Sequence, residues 1–331
     1  MPGALVRHPG SDFMKKVFLF SGQGSQYYQM GRSLYRSSAV FRNRMDRHDE
    51  ILADLLGHSV RDVIHGERSR SDRFDQTMLA GAAICMIELS LAETLVHHEV
   101  MPDIVLGASL GVFAAAVMAG SLSAEQALQL TVRQGQVFER CCEAGTMVAV
   151  LGSPSIYHRT PTLRDNSDIA AINFDGHFVL ALPQEAWPEV ESALRHSGET
   201  YQRMSVSRAF HSRWIDSAEA EFKACVRGMR ALPPRMPLVC CAPAAALSSV
   251  DEETLWQTVR QPIRFQTAVA ELERSGPCLY VDVGPSSTLA TFLKYQLPPG
   301  SPSAIQPLMT MFDQDVSHFQ KLVPTFVPVP C

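Results

Sequence analysis

The sequence predicts an α/β fold built on a mostly parallel sheet, with a small split βαβ unit inserted into it. Three observations carry that reading. Short apolar runs of strand length alternate with helical segments in both halves of the chain, as when parallel strands are joined by helices. One such run, Ile104-Val105-Leu106, turns through Gly107-Ala108-Ser109-Leu110-Gly111 into a helix of small residues. Between residues 145 and 207 the texture changes to short strands in an order that resembles β-α-β-β-α-β.

Taken in order, the first thirteen residues, MPGALVRHPGSDF, lack the apolar centre of a signal peptide. They read as a mobile leader, with the folded unit starting at Met14. A strand over 17–20 runs into Ser21-Gly22-Gln23-Gly24-Ser25-Gln26. No Gly-Lys-Ser/Thr follows this loop, and Tyr27 stands where a dinucleotide fingerprint has its third glycine, so nucleotide binding is not expected. The loop is nonetheless suited to presenting backbone N–H groups to a ligand. Polar helices fill 30–64. Ala80, Ala83, Ile84, Ile87, Leu91 and Leu95 then recur at helical spacing within 75–97, a central buried helix.

Gly-x-Ser-x-Gly between a strand and a helix is the arrangement of a nucleophile elbow, whose glycines permit a turn that pushes the serine hydroxyl outward. The helix that follows points its positive N-terminal end at the same spot. Ser123 and Gln126 form a capping box at the start of the next helix. Ala127, Leu130, Val137, Phe138 and Cys141 make its inward stripe, and Gln134 falls on it. Gln126, Gln129, Arg133, Gln136 and Arg140 share the polar face. A buried glutamine needs a partner. Gln134 is therefore a satisfied core residue, a pocket residue, or a sign that the helix is turned by one position.

Four strands are expected over 147–151, 169–174, 178–182 and 201–206, with a helix over 185–196. The stretch 153–166 holds two prolines and reads as a loop. Arg208-Ala209-Phe210-His211-Ser212 precedes a helical segment reaching about residue 229. Residues 256–265 lead into a helix ending near 274. A strand over 279–283 delivers Gly284-Pro285-Ser286-Ser287, and 316–331 reads as an extended tail.

The 331 residues are 46% hydrophobic and 19% charged, with a net charge of −5. That balance leaves no basic footprint for nucleic acid. No apolar run reaches membrane-spanning length, so no membrane partner is expected. Eight cysteines include no C-x-x-C, and the adjacent pairs Cys141-Cys142 and Cys240-Cys241 are unsuited to holding one metal. Structural thiols in a reducing cytoplasm fit better. A serine hydroxyl needs a base to accept its proton. Of the eleven histidines, His211 is the candidate, placed at a sharp apolar-to-polar change after a strand.

The stretches FSGQGSQYYQMG, GASLG, RAFHS, QPIRF and DVGPSSTLA occur in the order and at the approximate spacing of the malonyl-CoA:acyl carrier protein transacylase family. The resemblance covers about residues 15–312. It implies an α/β-hydrolase-like core over 14–144 and 208–315, interrupted by a ferredoxin-like subdomain over 145–207. It further implies Ser109 as nucleophile, His211 as general base, and the Gln23 and Leu110 N–H groups as oxyanion hole. The backbone carbonyl of Arg264 would orient the histidine, with Phe210 and Gln134 binding substrate. No metal or organic cofactor is implied, since the substrate carries phosphopantetheine on its carrier protein. Acyl carrier protein is the expected partner of a cytoplasmic monomer.

The departures are as informative. The family's Gly-His-Ser-Leu-Gly reads Gly-Ala-Ser-Leu-Gly here, and Val112 replaces the Glu that normally follows. Malonyl-using members place an Arg twenty-five residues after the nucleophile to clamp the substrate carboxylate. That position is Gln134, and Arg133 beside it is turned about 100° away. In both respects the chain is similar to a divergent branch of trans-acyltransferase polyketide synthase pathways whose members hydrolyse acyl groups from carrier proteins. Acyl hydrolysis is the leading expectation. Transfer of an acyl group other than malonyl between coenzyme A and carrier protein is the alternative, and a catalytically silent docking scaffold the third.

Overall fold

The computed structural model describes residues 14–328, so the expected leader over 1–13 and positions 329–331 of the expected tail lie outside them. Strand β1 (Lys15–Phe20) pairs in parallel with β2 (Ile104–Gly107), with Phe20 opposite Gly107. Four consecutive strands, β3 (Gly145–Leu151), β4 (Asp168–Phe174), β5 (His177–Pro183) and β6 (Thr200–Arg203), form a separate sheet. Strands β7 (Leu238–Cys240), β8 (Ala245–Ala246), β9 (Cys278–Asp282) and β10 (Ala304–Pro307) return to the first. Its order is β10-β9-β1-β2-β7-β8, parallel throughout except for the edge strand β8.

Side chains of β1 and β2 alternate between two cores, as a sheet covered on both faces requires. Phe18, Phe20 and Val105 pack on one side, and Val17, Leu19, Ile104 and Leu106 on the other. The first core is filled by the helix Thr77–His97, nearly all of whose residues are buried. By length and composition this helix could cross a membrane, which the sequence reading did not anticipate. Its apolar window is 89% buried inside the protein, against Ala124–Cys141 and the other helices of that layer.

The smaller sheet has the order β4-β5-β3-β6 with every neighbour antiparallel, the ferredoxin-like arrangement that β-α-β-β-α-β implies. One face, with Val148, Val150, Phe178, Leu180 and Leu182, packs on Val190 and Leu194 of the helix Trp187–Ser197. The opposite face turns Met147, Ala149, Ala171 and Val179 toward the elbow. The architecture is thus an α/β-hydrolase-like core carrying a ferredoxin-like subdomain.

Three local expectations need correction. The stretch 153–166 is not loop but two short helices, Ser155–Arg159 and Pro161–Asn166. Its prolines, at the N-cap of one and the first turn of the other, occupy the positions where a missing N–H costs nothing. Strand β6 stops at Arg203, and Met204 continues without regular structure. Residues 316–328 are no free tail, because the helix Asp315–Leu322 docks Phe319 into the core. Phe326 packs edge-on to Phe319 with ring centroids 4.9 Å apart, and both meet His98.

Candidate active site

Parallel pairing puts the carboxyl ends of β1 and β2 side by side, where ligands of such sheets bind. The Ala108 N–H donates to the Phe20 carbonyl at 2.9 Å, so the ladder runs on into the elbow. Ser109 itself then takes a left-handed backbone, φ 56°, uncommon for a residue with a Cβ and sustained only where neighbours enforce it. The enforcement is steric. A Cβ on Gly111 would overlap the Phe20 carbonyl, and one on Gly22 would meet the Ala108 oxygen at 2.9 Å and the Ser109 Cβ at 3.0 Å. The elbow glycines serve close approach, while the serine carries the positive φ. The helix Gly111–Met118 begins immediately after.

Opposite stands His211, also left-handed at φ 60° and 2% exposed. Its Nε2 lies 2.7 Å from Ser109 Oγ and its Nδ1 2.7 Å from the Gln261 carbonyl oxygen. A carbonyl can only accept, so Nδ1 carries the proton and Nε2 is left to accept from the serine hydroxyl. Burial pushes the His211 pKa down to about 4, with the nearby Arg260 charge acting in the same direction and the Gln261 bond opposing. The imidazole is therefore neutral at ordinary pH, in the tautomer a base requires.

The orienting carbonyl belongs to Gln261, not to Arg264 as the family resemblance implied. The helix Glu252–Arg260 ends at Gln261. Pro262 follows and holds Gln261 extended, leaving its carbonyl without a helical partner. Arg264 is occupied otherwise: its N–H donates to the Cys241 carbonyl and its carbonyl accepts from Ala268 in the next helix. Ile263 between them pairs with β4, donating to the Ala170 carbonyl and accepting from Ile172 N–H, each at 2.8 Å. The QPIRF stretch thus ties subdomain, core and histidine together.

Gln23 and Leu110 line the same cavity as Ser109, and among the described residues their N–H groups make no hydrogen bond to another protein group. The loop is held from outside: Gln23 Nε2 donates to the Thr77 carbonyl at 2.8 Å, and Gln26 Oε1 accepts from Gly24 N–H at 2.7 Å. A cavity of about 140 Å³ opens on Ser109, and Gln23, Leu110, Gln134, Phe210 and His211 line it. Among the described residues no Lys, Arg, Asp or Glu lines it. Gln134 is 3% exposed, and among the described residues its Oε1 has no hydrogen-bond partner, so it is a buried residue on the cavity wall rather than a satisfied core glutamine or one on the exposed face. Arg133 is exposed on the other side of the helix and reaches toward the Cys225 carbonyl. Phe210 packs on Phe138 at 5.5 Å between ring centroids.

Sequence reasoning missed Asn173 and His177. Both line the cavity, joined by Asn173 Nδ2 to His177 Nδ1 at 3.1 Å. The signal was present, since they are the two polar side chains flanking the Asp175-Gly176 turn of an otherwise apolar hairpin. His177 also stacks on Phe174 at 5.0 Å, and burial lowers its pKa.

Residues 17–327 match the family described as acyl transferase domain. The chain is 37% identical over 315 residues to the polyketide biosynthesis acyltransferase homolog BaeD of Bacillus velezensis, covering 95% of this chain and 97% of that protein. It is 37% identical over 303 residues to the homolog PksD of Bacillus subtilis, covering 91% and 94%. Among solved structures, the acyltransferase domain from the second module of the salinomycin polyketide synthase superposes with a TM-score of 0.82 at 27% identity, over 93% of this chain and 72% of that one. A loading acyltransferase from the avermectin synthase shares the fold at a TM-score of 0.85 and 23% identity, over 93% and 98%. With a serine elbow, a facing histidine and near full-length matches to its members, the chain belongs to the acyl transferase domain family.

Proposed function

We propose that this chain is an acyl hydrolase of polyketide biosynthesis that cleaves acyl thioesters of acyl carrier protein through an acyl-enzyme on Ser109. The observation that carries the reading is the cavity beside Ser109. It holds the nucleophile–base pair but no cation, and Gln134 is buried in its wall. A carboxylate there would be an unpaired buried anion, which costs several kcal/mol. Neutral acyl groups carry no such cost. A cavity of about 140 Å³ is close to the ~150 Å³ that accommodates benzene in another protein, which favours short chains.

In the mechanism His211 Nε2 takes the Ser109 hydroxyl proton as Oγ attacks the thioester carbonyl. The developing oxyanion is received by the Gln23 and Leu110 N–H groups. The tetrahedral adduct collapses, and the pantetheine sulfur leaves with the proton from His211. Water then gives its proton to His211 and attacks the acyl-enzyme, releasing the free acid and restoring Ser109. No step calls on a metal or organic cofactor.

Two measurements test this. Acetyl groups on carrier protein should appear as free acid faster than on added coenzyme A or a second carrier, followed by mass spectrometry. Efficient transfer to either thiol with negligible free acid would establish the alternative, an acyltransferase, which the names of the Bacillus relatives favour. Acylation should also persist in acid. Only neutral His211 accepts a proton, so kcat/KM is full above its pKa and falls as pH drops through it. Its acid limb is expected near pH 4, well below the ~6.5 of an unperturbed histidine. A limb at or above that value argues against His211 as the base.

A further inference from the structure

The central helix carries a fully buried acid that the mechanism does not use. Glu88 is fully buried on Thr77–His97 and, among the described residues, forms no ion pair. Its Oε1 contacts the Ser21 N–H at 2.6 Å and Ser21 Oγ at 2.9 Å. Ser21 Oγ is 3.0 Å from Ser25 Oγ, and the Ser25 hydroxyl donates to the Gly22 carbonyl at 2.8 Å. Gly22 is in turn wedged against Ala108 and Ser109.

The end of this chain matters because a peptide group is planar and trans. The Gly22 carbonyl and the Gln23 N–H belong to the same peptide unit and point in opposite directions. Fixing the carbonyl therefore fixes the direction of the Gln23 N–H, and a hydrogen bond to the carbonyl polarises that N–H.

We propose that Glu88 is a positioning residue for the Gln23 oxyanion donor, the buried anchor of a hydrogen-bond chain running through Ser21 and Ser25 to the Gly22 carbonyl. The proposal rests on the oxyanion role given to Gln23 above. Ser25 gives its only hydroxyl proton to Gly22, so its contact with Ser21 is a hydrogen bond only if Ser21 donates. The Ser21 hydroxyl also faces Glu88, whose Oε1 accepts from both the Ser21 N–H and the Ser21 hydroxyl, so Ser21 links the buried carboxyl to Ser25. Burial, with the nearby Asp282 acting in the same direction, holds that carboxyl well above the usual carboxylate range, against the two Ser21 contacts that lower it. Asp282 accepts from the Gly284 and Ala290 N–H groups.

The test follows acylation of Ser109 by acetyl-carrier protein in rapid-quench intact mass, with hydrogen exchange of the 20–26 peptide on the same proteins. Glu88→Leu and Ser21→Ala should each slow acylation by about ten- to a hundredfold. That is less than the hundred- to thousandfold expected on removing an oxyanion donor outright. The loss should appear in the rate constant with KM within about twofold, which a general loosening of the fold would not give. Glu88→Gln keeps an uncharged oxygen for the Ser21 N–H and should recover most of the rate. Exchange of the loop should rise at least about tenfold in Glu88→Leu and Ser21→Ala. Should Glu88→Leu not fold, Ser21→Ala decides alone. Acylation at the wild-type rate in Ser21→Ala, or loss in Glu88→Gln as large as in Glu88→Leu, overturns the proposal. A wild-type protein that never acylates Ser109 sinks the proposed function instead. The exchange result still judges the anchor in that case, and unchanged loop protection would overturn it.

Discussion

Ser109→Ala is expected to abolish acyl-enzyme formation, and His211→Ala to slow it by at least about a thousandfold, because each group works only with the other. The geometry makes the pair interdependent. Ser109 Oγ has the imidazole Nε2 at 2.7 Å, and that nitrogen accepts only because the Gln261 carbonyl holds the proton on Nδ1. Intact mass after incubation with an acyl-carrier protein reads the adduct directly, and near-normal turnover by Ser109→Ala would sink the covalent mechanism. The same geometry says that no carboxylate completes a triad. Asp165→Asn, Asp168→Asn and Asp175→Asn should each cost little activity. Asp168 instead pairs with Arg213 at 2.8 Å at the surface, where an ion pair contributes ~1 kcal/mol or less. A large loss from any one of the three would point to a carboxylate partner for His211.

The elbow was legible because its chemistry is local. A strand, a turn with two glycines and a helix lie within 104–118, and the structure adds only that Ser109 bears the strained φ. The capping box of Ser123 and Gln126 was legible for the same reason and is present on both sides. Gln134 needed only helical phase. The histidine's partner did not follow, because which carbonyl reaches Nδ1 depends on where one helix stops and the next begins. Helix Glu252–Arg260 ends before Pro262, and the Arg264 carbonyl is already taken as the first acceptor of Phe265–Arg274. The end of the chain failed for another reason. The Pro-rich stretch 323–331 reads as extended, yet Phe319, Val323 and Phe326 find a buried site beside His98 that only the assembled core provides. Glu88, likewise, reads as an acid in an apolar helix until the loop after β1 places Ser21 against it.

Gln134 separates this chain most sharply from relatives that handle malonyl groups. Uncharged acyl groups should be processed much better than malonyl, since the cavity offers an amide and no cation. Gln134→Arg should shift the preference toward malonyl. A hydrogen bond to a charged group contributes about 1.5–3 kcal/mol, so the swing in relative kcat/KM is roughly ten- to a hundredfold. The same change should slow neutral substrates, because a guanidinium in a site 3% exposed would face an apolar chain with nothing to pair it. Arg133 cannot supply the charge in the wild type, since it lies exposed on the far side of the helix. The comparison to make is acetyl-, butyryl- and malonyl-carrier protein with wild type and Gln134→Arg under identical conditions. Loss with the neutral chains confirms that the side chain faces the acyl group. A gain with malonyl shows in addition that one cation suffices to bind its carboxylate. Wild-type enzyme that prefers malonyl would overturn the argument from Gln134 outright, because the carboxylate would then be binding where no charge meets it.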